Sequence, residues 1–216
     1  MTFLLPLLTV QLVIATTEVQ LQEVDLTAAL FPSISLTQPT ESEEVEDVAT
    51  TTWGEEGTWR WGIHGGYAED LNPSWERSNI WSTDKFSLLG VEFDYFIADK
   101  LSLDIGLNIL DIRQIGGNTY GFNCTLQLRW HMVVKENWSF FIEGGAGLLF
   151  TEHNVPSSGT EFNFTPQAGL GFSFKAENSA RWLIGLRWHH ISNANTDSTN
   201  PGRDSMMLWA GITFPF

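Results

Sequence analysis

The sequence predicts an all-β protein: an eight-stranded antiparallel, up-and-down transmembrane β-barrel behind an acidic N-terminal arm. Three observations lead to that class. Apolar and polar residues alternate with a period of two from Thr58 to the last residue, as in strands whose faces meet lipid on one side and a polar interior on the other. The connectors between these segments alternate between short and longer, as periplasmic turns and external loops do. The 216 residues include 10 Trp, 15 Phe and 19 Gly spread over short segments, and no internal stretch would span a bilayer as a helix.

Residues 1–17 read as a secretory signal peptide, an apolar run from Phe3 to Ala15 followed by Thr16 and Thr17, without a basic n-region. Residues 18–57 are rich in Thr, Pro and Ser, and residues 1–57 contain ten acidic residues and no Lys or Arg. Such a segment buries too little apolar surface to offset the entropy of ordering, so it reads as a disordered arm. Much of the formal charge of −15 lies there, which leaves residues 58–216 with 16 acids against 11 bases.

Residues 58–216 form the barrel, strand by strand. Trp59, Trp61, Ile63 and Tyr67 face out in the first, opposite Arg60, Gly62, His64 and Gly66. Val91, Phe93 and Tyr95 do so in the second, Leu101 to Ile109 in the third and Tyr120 to Trp130 in the fourth, each on alternate residues. The fifth presents Trp138, Phe140, Ile142, Ala146, Leu148 and Phe150, and the sixth Phe162, Phe164, Ala168, Leu170, Phe172 and Phe174. Trp182, Ile184, Leu186 and Trp188 mark the seventh, and Met206, Leu208, Ala210, Ile212, Phe214 and Phe216 the eighth. Ile97–Lys100, Val134–Asn137 and Lys175–Ala180 are short connectors; Ala68–Asp84, Arg113–Asn118, Thr151–Thr160 and Asn193–Arg203 are mostly longer. With a periplasmic N-terminus, the seventh strand runs outward and Asn193–Arg203 is an outside loop.

The inward set includes Arg60, Arg129 and Arg187 beside Glu92, Asp94, Asp104 and Glu143, a polar network expected to fill so narrow a barrel rather than line a pore. An acidic chain without a basic cluster argues against nucleic acid, whose phosphates need Lys and Arg. Cys124 stands alone, which excludes an internal disulfide and a cysteine metal framework. His189 and His190 are adjacent, so strand geometry sends them to opposite faces; His64 and His131 point inward and His153 lies in a loop. No metal or cofactor is expected. The sequence does not specify an oligomeric state.

Beyond Trp188, the next residues of the same parity are His190 and Ser192, and Asp204 shares the parity of Met206. Three polar residues suited to nucleophilic catalysis therefore stand on the outer face, at the outer ends of two adjacent strands. A serine hydroxyl needs a base to remove its proton; histidine does this near neutral pH while a carboxylate fixes its tautomer. An ionisable residue facing lipid is costly without a function or a partner.

The run His190-Ile191-Ser192-Asn193-Ala194, followed by Asn200-Pro201-Gly202 and a last strand ending in Phe, resembles the lipid A 3-O-deacylase (PagL) family. That family's motif is a His-x-Ser-Asn segment with an acidic residue twelve positions after the serine, here Asp204. The resemblance implies an outer-membrane serine esterase that needs no cofactor and acts on lipid A of lipopolysaccharide, with its site at the outer leaflet. Ser192 would be the nucleophile, His190 the base and Asp204 the orienting carboxylate, with Asn193 and Asn195 at the oxyanion. Two positions depart from the pattern: the family usually has Glu at Asp204 and commonly Gly at Asn195. The alternatives are a non-catalytic structural or adhesive barrel, and a phospholipase or acyltransferase of the outer leaflet.

Overall fold

The computed structural model describes residues 53–71 and 81–216; the expected signal peptide and residues 18–52 of the arm lie outside the described residues. Eight antiparallel strands build one closed sheet. They are β1 (Trp59–Leu71), β2 (Trp81–Ala98), β3 (Leu101–Arg113), β4 (Thr119–Val134), β5 (Trp138–Val155), β6 in two segments (Thr160–Phe164 and Gln167–Lys175), β7 (Arg181–Ile191) and β8 (Arg203–Pro215). Each pairs with the next, and β1 pairs with β8 from Arg60↔Pro215 to Asp70↔Ser205. Closure satisfies the backbone of every strand from its neighbours, the condition for sheet structure in lipid.

The expected faces hold residue by residue. In β7, Trp182, Ile184, Leu186 and Trp188 are exposed, whereas Arg181, Leu183, Arg187 and His189 are buried. At the end carrying the short turns, aromatic residues meet across strands, Trp59 with Tyr95 at 4.5 Å and Trp61 with Phe214 at 5.0 Å between ring centroids. The strands run further than the alternation suggested. Residues 68–71 extend β1 and residues 151–155 extend β5, segments the sequence reading placed in loops. Glu69, Asp70, Glu152, His153 and Asn154 carry no apolar stripe, because strand beyond the apolar band has no lipid to face.

β6 breaks at Thr165–Pro166, where proline has no N–H for the ladder. Pairing persists across the break: Thr165 N–H donates to Gly147 O at 2.9 Å, and Pro166 O accepts His190 N–H at 2.9 Å.

Arg129 anchors the polar interior, meeting Asp104 at 3.2 Å, Glu92 at 3.3 Å and Glu143 at 3.1 Å, while Arg187 reaches Glu143 at 2.7 Å. Both guanidinium groups also lie over the Trp209 ring. Towards the loop end the interior turns apolar, with Ala68 packed between Phe86 and Met207 and Ile112 across from Phe86. At the turn end Trp53 lies under Arg181 and Arg60, 4.1 and 4.8 Å from its ring, and edge-on to His131. Trp53–Gly57 were expected to belong to the arm. Instead they sit against the barrel through Lys100 N–H to Gly54 O and Gly57 N–H to Phe96 O, because Trp53 has an aromatic and cationic socket there.

Candidate active site

β7 and β8 are neighbours in antiparallel register, with His190 directly across from Asp204. Both side chains are on the outer wall, and His190 Nδ1 lies 2.9 Å from Asp204 Oδ1. With an ionised carboxylate as acceptor, a neutral imidazole carries its proton on Nδ1 and keeps a lone pair on Nε2. The pair is partly wet, with side chains 26% and 45% exposed. The same Asp204 oxygen accepts a second bond from Trp188 Nε1 at 3.0 Å, and the Trp188 ring stacks on His190 at 5.8 Å and 25°.

Ser192 follows two residues after His190, on the same face. It is fixed through its backbone, exchanging two hydrogen bonds with Phe164 at 2.7 and 3.1 Å. Among the described residues no hydrogen bond joins its hydroxyl to His190. Gly202 closes the loop beside the imidazole. It has φ +62°, and a Cβ there would stand 3.4 Å from His190 Cε1 and 3.9 Å from Nε2. Glycine suits that backbone and keeps the reactive edge uncrowded.

Asn193 is buried and ties the loop together. Its side-chain NH2 donates to Thr199 O at 2.7 Å, its backbone N–H to Asn200 Oδ1 at 3.1 Å, and its Oδ1 accepts Asn195 N–H at 3.0 Å. Ala194 and Asn195 have φ +53° and +61°. Asparagine tolerates that left-handed conformation, which accounts physically for Asn195 at a position where the resemblance expects Gly.

From inside, Asp70 accepts Ser205 Oγ at 2.6 Å and pairs with Arg203, so it grips both residues that flank Asp204. Trp188 and Asp70 were missed as site residues. Trp188 sat in the sequence as one more aromatic of the outer face, and Asp70 fell in a stretch read as loop. His189 points inward, 5.0 Å from Phe86, as adjacent strand residues must. Among the described residues no group of three metal-ligating side chains converges.

An outer-membrane β-barrel with a histidine–carboxylate pair and a serine on its outer wall is the class these features define. Solved structures agree on the fold. The outer membrane enzyme PagL superposes with a TM-score of 0.52 at 18% identity, covering 71% of this chain and 99% of that one. Neisserial surface protein A (NspA) superposes with a TM-score of 0.55 at 13% identity, covering 73% and 97%. Residues 47–213 match the family Lipid A 3-O-deacylase (PagL), and the chain belongs to that family. Lipid A deacylase PagL of Bordetella bronchiseptica (strain ATCC BAA-588 / NCTC 13252 / RB50) is 38% identical over 72 residues. That match covers 32% of this chain and spans 38% of the relative's length.

Proposed function

We propose that this protein is an esterase that removes the 3-O-linked hydroxyacyl chain from lipid A. The observation that carries this reading is the His190–Asp204 hydrogen bond on the outer wall, two residues from Ser192, in a chain of the PagL family. His190 Nε2 takes the Ser192 hydroxyl proton as Oγ attacks the ester carbonyl, and Asp204 stabilises the imidazolium that forms. The tetrahedral intermediate collapses as His190 returns its proton to the departing sugar oxygen, leaving the acyl group on Ser192. Water, deprotonated by His190, then releases the 3-hydroxy fatty acid and regenerates the serine.

Asn193 and Asn195 hold the turn after Ser192, and the donors for the oxyanion come from that turn; fixed donors at a developing charge are worth more than mobile ones. The Asn193 side chain is buried and spent on Thr199 O and Asn195 N–H, so its part is to hold the turn. With the long loops outside the cell, the site faces the outer leaflet and a lipid enters sideways with its tails still in the membrane. The test is mass spectrometry of lipid A from cells expressing the wild type and Ser192→Ala. Loss of one hydroxyacyl chain only with the wild type supports the reading. An unchanged profile with folded protein would point to a structural barrel, and added acyl groups or lysophospholipid to other lipid chemistry.

A further inference from the structure

We propose that Trp188 is a positioning residue that holds the Asp204 carboxylate under His190, and that it is matched to an aspartate at this position. The inference rests on the reading of His190, Ser192 and Asp204 given above.

Outward tryptophans on this barrel have two different surroundings. Trp59 and Trp61 lie against neighbouring rings, Tyr95 at 4.5 Å and Phe214 at 5.0 Å. Trp188 instead turns its polar edge along the wall, diagonally across to β8, and donates to Asp204 Oδ1 at 3.0 Å. His190 Nδ1 lies 2.9 Å from the same atom. Two N–H donors converging on one oxygen fix the carboxylate rotamer, which matters for a group 45% exposed and otherwise free to turn towards water. The Trp188 face covers the imidazole at 5.8 Å, within reach of a favourable interaction with the imidazolium formed during turnover.

Asp204 stands directly opposite His190, so its one-methylene side chain reaches Nδ1 across a single strand pair. A glutamate there has one more methylene and one more torsion, so its carboxylate is not held at the point where both donors meet. Trp188 therefore matters to the aspartate and much less to a glutamate.

The test is a double-mutant cycle read in two ways. Trp188→Phe keeps a ring on His190 and removes the donor. It should lower kcat on lipid A about ten-fold, the scale of one hydrogen bond to a half-exposed charge, and leave KM unchanged. In an Asp204→Ala background the same substitution should cost nothing further, and in Asp204→Glu less than about three-fold. The second readout needs no substrate: the imidazole Nδ1–H proton resonance of His190, assigned by its loss in His190→Gln, should shift or broaden in Trp188→Phe and Trp188→Leu but not in Trp182→Phe. An unmoved resonance, or an equal loss in the Asp204→Ala background, would overturn the proposal. A wild type that leaves lipid A intact while the resonance still responds to Trp188 would instead refute the lipid A reading alone.

Discussion

Replacing Asp204 by Asn isolates the charge of the carboxylate, because Asn keeps an oxygen for His190 Nδ1–H and for Trp188 Nε1–H. Two charges about 4 Å apart attract by ~1 kcal/mol in water and by ~4 kcal/mol at the effective dielectric of a protein surface. With Asp204 45% exposed and His190 26%, the pair falls between these limits. About 2 kcal/mol is therefore lost from the state in which His190 is protonated, a factor of roughly 30 in rate. That figure agrees with the ~1.5–3 kcal/mol of a hydrogen bond to a charged group. The assay is the initial rate of 3-hydroxy fatty acid release from lipid A by purified barrel in detergent micelles. The loss should appear in kcat and not in KM, since in the proposed mechanism Asp204 stabilises a charge that exists only after proton transfer. A loss below about three-fold, or one confined to KM, would make Asp204 a rim residue. A loss as complete as that of Ser192→Ala would mean that the carboxylate does more than stabilise the imidazolium.

Three further outcomes follow from the fold. Arg129→Met leaves Glu92, Asp104 and part of Glu143 buried without their cation, so stability should fall by about 3–5 kcal/mol, read as an earlier heat-induced shift in gel mobility. Supplying a reliable export signal and deleting residues 18–52 should leave a heat-modifiable barrel, whereas a deletion that also takes Trp53 should unfold at lower temperature because Arg60 and Arg181 lose the ring they cover. Tags inserted near Gly159 or Thr199 should be reachable on intact cells and a tag near Asn178 should not; the reverse labelling would put Ser192 in the wrong leaflet for lipid A.

The candidate triad was legible because a strand has a period of two. Parity alone puts His190 and Ser192 on the face of Trp188, and Asp204 on the face of Met206, whatever the distances. The register that sets His190 opposite Asp204 was not legible, since it depends on how residues 192–202 close between β7 and β8. Trp188 was read correctly as outward and incompletely as lipid-facing, because a sequence does not reveal which way an indole turns its N–H. Asp70, Glu152 and Asn154 lie where strands continue past the apolar band, and there the pattern that identifies a strand fades. The sequence pattern points to a polar network of Arg60, Arg129 and Arg187 with Glu92, Asp94, Asp104 and Glu143 filling the interior. Arg129 and its carboxylates bear this out at mid-height, but Ala68, Phe86, Ile112 and Met207 make the loop end apolar.

That apolar end bears on how the site works. A lumen filled by an arginine–carboxylate network and packed above it with Phe86, Ile112 and Met207 gives Ser192 no route to solutes through the barrel. The His190–Asp204 pair is open from the outer wall, with side chains 26% and 45% exposed, and under the proposed function a lipid reaches it from that side. Two neighbouring strands carry His190 and the Asp204 carboxylate, their separation is fixed by sheet register, and Asp70 pins the residues on either side of Asp204 from within. The barrel thus acts as a rigid ruler for groups on its outer face, and the half-exposed carboxylate needs only a local donor, Trp188, to complete its orientation.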